Sequence, residues 1–309
     1  MGTPFSLLAE RINHLSAPPP ACIIRPMKRA KFLPLLRHRA DVRTLLLVTL
    51  ALLIAVGNWA GVCRNWVSIP VGYALAFICC TATHSQMHLP VFRSRFWNSI
   101  YQVALTFAIG QPPTGIITAH NERHHKHPET QFDFVRTNLV RFRWNALNIF
   151  LFPFASIAAM YREKPSDLCV WKSKRPRLFR QAILERAIFY PVLLTLLIID
   201  FRATALFLII PWLTAQLTLV GMNLLQHQDC DHASAFDHSR NLTGKIPNWL
   251  LFNSGFHTAH HIRPSLHWSQ LPGYHLEHIA QRMNPALNHR TFVGLFAKRL
   301  RRPLPSHVR

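Results

Sequence analysis

Residues 66–88 read WVSIPVGYALAFICCTATHSQMH, an uncharged apolar run that ends in His84-Ser85-Gln86-Met87-His88. The run from 66 to 83 is close to the ~20 residues a helix needs to cross a bilayer core of ~30 Å. Where it ends, two histidines follow four residues apart, which puts them on one face of a continuing helix. Imidazole is a general ligand for iron, zinc, copper and nickel. A helix that leaves a membrane on such a pair hangs metal chemistry just below the bilayer.

Working outward, residues 44–61 form another uncharged run, separated from the first by Cys63-Arg64-Asn65. The two runs predict a helical hairpin with a very short loop. Runs at 187–199 and 203–222, split by Asp200-Phe201-Arg202, predict a second hairpin. Its first arm is short, and spans if Arg186 snorkels towards the headgroups or the helix begins nearer Ile183. Residues 96–109, stopped by Gly110-Gln111-Pro112-Pro113, and 146–160, which contain Pro153, suit interfacial or re-entrant helices instead. The expected fold is therefore all-α and integral to the membrane: four transmembrane helices in two hairpins, with a cytoplasmic helical cap. No repeat of 20–50 residues stands out.

The composition agrees with this division. Half of the 309 residues are hydrophobic, and they are segregated from stretches rich in Arg, Lys and His. The net charge of +22 flanks the apolar runs and does not form a compact basic domain. That placement speaks against nucleic acid and for anionic lipid headgroups and an acidic electron-transfer partner. The two short hairpin loops hold only Arg64 and Arg202 of the 35 Lys and Arg. The basic side of short loops is cytoplasmic, so both termini are expected there, in a bacterial inner membrane, on the side that carries the histidines. Six cysteines without a CxxC pair predict no disulfide scaffold, and Cys79 and Cys80 inside an apolar run act as small hydrophobes. Residues 1–26, with Pro18-Pro19-Pro20, read as a loosely ordered leader, and Met27 is an alternative start. The chain divides into a basic N-terminal segment (1–43), a membrane domain (44–278) and a basic C-terminal segment (279–309).

Three further motifs join the first pair. They are His120-Asn121-Glu122-Arg123-His124-His125, the spacing Asn223-x-x-x-His227 just after the last apolar run, and His257-Thr258-Ala259-His260-His261. Read as helices, each aims two or three groups at one point. One such template is within reach of chance in a chain with 19 histidines; several together, each on the cytoplasmic side and two extending directly from apolar runs, are not. Structural zinc takes four ligands and catalytic zinc three plus water, so nine imidazoles suit two metals. A zinc protease is excluded because HExxH is absent.

The order HxxxH, HxxxHH, NxxxH, HxxHH, interleaved with two hairpins over residues 44–278, resembles the membrane fatty acid desaturase family. The surroundings of the last motif, Asn253-Ser254-Gly255-Phe256-His257 and Arg263-Pro264, are similar as well. The resemblance implies an oxygen-dependent desaturase with two iron ions held by His84, His88, His120, His124, His125, His227, His257, His260 and His261. It also implies that Asn223 acts through a water. The expected substrate is an acyl lipid or acyl thioester, with O2 as co-substrate. No His-Pro-Gly-Gly motif of a fused cytochrome b5 occurs, so the expected electron donor is separate: a ferredoxin, a rubredoxin or a cytochrome b5-type protein. Histidine at the first position of HxxHH speaks against a front-end desaturase. A di-iron lipid hydroxylase or a carotenoid ketolase or hydroxylase shares these motifs. A metal transporter fits less well, because the apolar runs hold no histidine before their ends.

Other residues have two readings. Asp229, Asp231 and His232 either orient ligand imidazoles or lie in a solvated loop. Glu122 either supports the site or pairs with Arg123. His127, His238, His267, His275 and His278 read as structural or surface residues. Trp144, Trp249 and Trp268 suit a membrane interface, and Lys298-Arg299-Arg301-Arg302 a contact with lipid headgroups.

Overall fold

The structure, a computed structural model, describes residues 35–162 and 167–300. The expected leader at 1–26, the Met27 start, and Arg301 and Arg302 lie outside the described residues.

The described residues are mostly helical. α1 (Asp41–Trp59) and α2 (Ser68–His88) form the first hairpin, and α3 (Arg95–Ile109) follows. α4 (Thr114–Ile117) continues directly into a π-helical turn, Thr118–His124. Then come α5 (Asn145–Arg162), α6 (Asp167–Lys174), α7 (Pro176–Ile199) and α8 (Phe201–His227), the last interrupted by a π-helical turn at Ala205–Ile209. Short helices α9 (Lys245–Leu250), α10 (His257–Ile262), α11 (Leu271–His278) and α12 (Phe292–Leu300) complete the cap. A two-residue parallel pair, β1 (Asn241–Leu242) with β2 (Asn288–His289), is a small addition to the expected all-α fold.

Among the described residues, three helices are long and apolar enough to cross a membrane: α1, α7 and α8. Their outward apolar side chains, such as Leu53, Val56, Leu194 and Ile198, are exposed and have no core to enter, as a lipid-facing surface requires. The expected arm at 187–199 is the second half of the 24-residue α7, which starts at Pro176. Proline is well suited to the first turn of a helix, where its missing N–H is not needed. α2 is a 21-residue helix whose last turn is the polar HxxxH segment. Residues 96–109 and 146–160 lie within α3 and α5.

The two hairpin connections lie at the same end of the bundle. Trp59, at the end of α1, donates from its indole to Thr204 Oγ1 at the start of α8 (2.9 Å). Tyr73 of α2 donates to the Leu206 carbonyl (3.2 Å), and Arg64 stacks over Phe207 at 4.4 Å. The histidines are at the opposite ends of α2 and α8.

Two clamps fix the approach to the second histidine motif. Gly110 ends α3 with φ 71°, and a Cβ there would run into the Trp212 ring of α8. Gln216 of α8 donates to the Ile109 carbonyl beside it (2.7 Å). On α7, the fully buried Glu185 accepts from the Thr114 backbone N–H (3.1 Å) and hydroxyl (2.7 Å), at the first turn of α4. Gln181 donates to the other Glu185 oxygen (3.0 Å) and also pairs with Ser99 of α3. A buried carboxylate in an apolar helix is costly unless paired and hydrogen-bonded; here it ties α3, α4 and α7 together.

Candidate metal centre

Four elements deliver nine histidines to one region. The last turn of α2 carries His84 and His88, the π-helical turn carries His120, His124 and then His125, α8 ends on His227, and α10 bears His257, His260 and His261. They separate into two groups. His84, His88, His120, His125 and His260 form one; His124, His227, His257 and His261 form the other. Within each group, one ring nitrogen from every residue lies within 4.8 Å of all the others.

The expectation that each motif aims at a single point is corrected here, because two motifs divide between the groups. In the π-helical turn the His125 N–H bonds to the His120 carbonyl (3.0 Å), five residues back. This wider turn brings His120 and His125 together, with Nε2 atoms 3.0 Å apart, and leaves His124 facing the other group. π-helical turns of this kind occur often at functional sites. In α10, His257 and His261 are one turn apart and share a group (Nε2 to Nε2, 3.1 Å), while His260 points to the first, 3.0 Å from His125 Nε2. His227 closes the second group with its Nε2 2.8 Å from that of His257.

The environment favours neutral imidazoles. Burial pushes the pKa values of His120, His257, His260 and His261 well below the ordinary histidine value, and the neighbouring imidazoles add to the shift. His125 moves the same way for the same reasons. A neutral imidazole has one nitrogen free to ligate. The Nε2 atoms of His88 and His124 are buried with no hydrogen-bond partner, so a cation between the rings would meet an unsatisfied donor set. The residues present therefore fit two metal ions, one for each group.

Two of these rings are oriented by Asp133, which the sequence reading did not single out, and by the backbone at His238. His124 Nδ1 meets Asp133 Oδ2 at 2.9 Å, with both side chains fully buried. Burial alone would raise the Asp133 carboxyl. The bond to His124 and the backbone N–H groups of Val135 (2.9 Å) and Glu129 (3.1 Å) outweigh burial and hold it below its ordinary value. His227 Nδ1 meets the His238 carbonyl at 3.1 Å. Fixing one ring nitrogen in this way leaves the other directed into the site. Asn223, one turn before His227, donates from its amide to the Val135 carbonyl (3.0 Å) and so braces the loop that carries Asp133.

Several subsidiary expectations change. Asp229 pairs with Arg299 and not with an imidazole, while exposed Asp231 accepts from the Ala233 N–H (3.0 Å) within its own loop. His232 is also exposed, its ring 6.3 Å from that of His227. Glu122 pairs with Arg175, the residue between α6 and α7, and Arg123 lies over Phe134 at 4.2 Å. Trp144 and Trp249 are exposed, but Trp268 is buried and donates to Asp41 Oδ1 (2.9 Å), which also bonds the buried His267 (3.0 Å). Arg299 is buried too, bonded to Gln228 Oε1 (2.8 Å), so it is not a headgroup contact. A pocket bounded by Asp41, Thr44, Phe252 and Trp268 has His84 and His260 on its wall.

Comparison with known proteins bears on this site. The chain matches the family model described as fatty acid desaturase over residues 64–291, most of its length and all nine histidines. No curated protein matches it.

Proposed function

The chain belongs to the fatty acid desaturase family of membrane oxidoreductases, and we propose that it is an oxygen-dependent di-iron desaturase acting on the acyl chain of a lipid or thioester. The observation that carries this reading is the division of nine converging imidazoles into two adjoining groups of five and four. In the proposal His84, His88, His120, His125 and His260 hold one iron. His124, His227, His257 and His261 hold the other, with Asn223 acting through a water. Two bound irons supply the oxygen-dependent oxidising power that takes hydrogen from unactivated methylenes.

The protein's own residues do the rest. Neutral, buried imidazoles bind cations without stacking carboxylate charge against a membrane. Asp133 and the His238 carbonyl keep the Nδ1 protons of His124 and His227, which turns their Nε2 lone pairs inward. The ends of α2 and α8 set the site where an acyl chain leaving the bilayer can reach it. Overall, −CH2−CH2− becomes −CH=CH−, and O2 with two electrons and two protons becomes two waters.

We read α2 as the fourth crossing beside α1, α7 and α8, with both termini cytoplasmic in a bacterial inner membrane. The electrons come from a separate ferredoxin, rubredoxin or cytochrome b5-type donor, whose acidic surface suits a chain of net charge +22. Metal analysis of the purified chain tests the assignment. About two irons per chain are expected from the two-group geometry, with oxygen uptake that depends on lipid and donor. Zinc in place of iron, without oxygen uptake, would refute it.

A further inference from the structure

α12 lies beyond the residues matched to the family model, yet one of its buried side chains reaches the segment that leaves the four-histidine group. Leu295 packs this helix into one apolar cluster with Met222 and Leu225 of α8 and Leu242 of β1. One turn later Arg299, 2 % exposed, turns its Nη2 onto Gln228 Oε1 (2.8 Å) and the Asp229 carboxylate. Asn145, at the start of α5, completes the lock. Its amide donates to the Arg299 carbonyl (2.8 Å), and its oxygen accepts from the Gln228 amide (2.7 Å). Two elements distant in sequence thus close on the two residues that follow His227.

Those two residues set how α8 ends. Gln228 leaves the helix at φ −57° and ψ 128°, and Asp229 takes the left-handed region at φ 56°. Non-glycine residues seldom adopt that conformation and keep it where their surroundings hold them. His227 is the last helical residue and the one imidazole that α8 brings to the group, with Nε2 2.8 Å from that of His257. Fraying of the helix end would therefore displace this ring first. As a stabiliser of the fold, Arg299 is poorly placed: its Nε and Nη1 are buried with no hydrogen-bond partner among the described residues. A buried charge met on one side only costs stability, so its contribution lies in the turn that it holds.

We infer that Arg299 is a positioning residue that fixes the turn after His227 and thereby sets how tightly the four-histidine group holds its ion. The C-terminal helix is then part of the metal centre, although it supplies no ligand. This inference rests on the two-metal reading above and adds to it a residue outside the four motifs.

The test loads the full-length protein in detergent with cobalt(II), whose optical bands report the surroundings of each ion, and follows release to a chelator. Wild type is expected to hold two cobalt ions. Arg299→Met is expected to release one of them about 10-fold more readily, the low end of the range for groups that orient metal ligands, and to keep the other as wild type does. The weakened bands should be those missing from His261→Ala and present in His260→Ala. Glycine adopts a positive φ without help, so the double variant R299M/D229G should recover wild-type retention, which general destabilisation would not produce. Equal loosening of both ions, or of neither, in folded R299M overturns the inference. So does a double variant as loose as R299M. Should R299M fail to fold, Gln228→Met removes the same lock from the other side and decides the matter by whether one ion or both are loosened, or neither. A wild-type chain that binds fewer than two cobalt ions brings down the two-metal reading itself, so the two failures are distinguishable.

Discussion

His124 and Asp133, nine residues apart in sequence, meet at 2.9 Å with neither side chain reaching solvent. The carboxylate fixes the ring of the one histidine in its motif that faces the four-histidine group. Replacing such a partner typically costs about 10–100-fold in metal affinity. Asp133→Asn is therefore expected to weaken one of two ions by that order while sparing the other. Chelator competition followed by metal analysis reads this directly, and equal loss from both groups would contradict it.

His260 and His261 are adjacent in sequence but belong to different groups. Alanine at either position is expected to abolish turnover. Metal content should nevertheless fall further in H261A, which leaves three imidazoles, than in H260A, which leaves four. A larger loss in H260A would refute the division.

The metal-free protein should lose stability in mild acid. The folded pKa values of His120, His257, His260 and His261 are lowered, so between those values and an unfolded pKa of about 6.5 the unfolded chain binds more protons. Stability thus rises with pH across that window and falls as pH drops below about 6.5. Thermal unfolding of the chelated protein from pH 7.5 to 5.5 should show a falling Tm; a flat profile would mean that the imidazoles are not buried as described.

Glu185 holds the start of the helix that leads to His120. Glu185→Leu strands the Thr114 N–H and hydroxyl and the Gln181 amide, at about 1–3 kcal/mol for each group left unsatisfied. Glu185→Gln keeps an acceptor oxygen and should cost less. Thermal unfolding in detergent should rank wild type, E185Q and E185L in falling order, and E185L equal to wild type would contradict the clamp.

The histidine motifs were legible because their residue types are rare and their spacing is local. Their division was not: His120 to His125 adopt a π-helical turn in place of an α-helical period, and in α10 His260 turns to a different group from His257 and His261. Asp133 and His238 lie in irregular segments brought to the site by tertiary packing, and no local period marks them. The start of α7 was hidden because Arg177, Arg180 and Arg186 interrupt its apolar pattern, although a helix crossing the headgroup region tolerates such residues. Arg299 looked like part of a basic tail, yet its helix turns it inward onto Gln228 and Asp229. Two-sided burial of that kind leaves no trace in a charge count.

The most direct measurement of the central claim is gas chromatography of total fatty acids from a desaturase-deficient host expressing this chain, beside a His260→Ala control. The account predicts a new unsaturated acid that appears only with the intact chain and only in the presence of oxygen. An unchanged fatty acid profile from well-expressed, iron-loaded protein, with oxygenated lipids in its place, would contradict desaturation and assign the chain to hydroxylation.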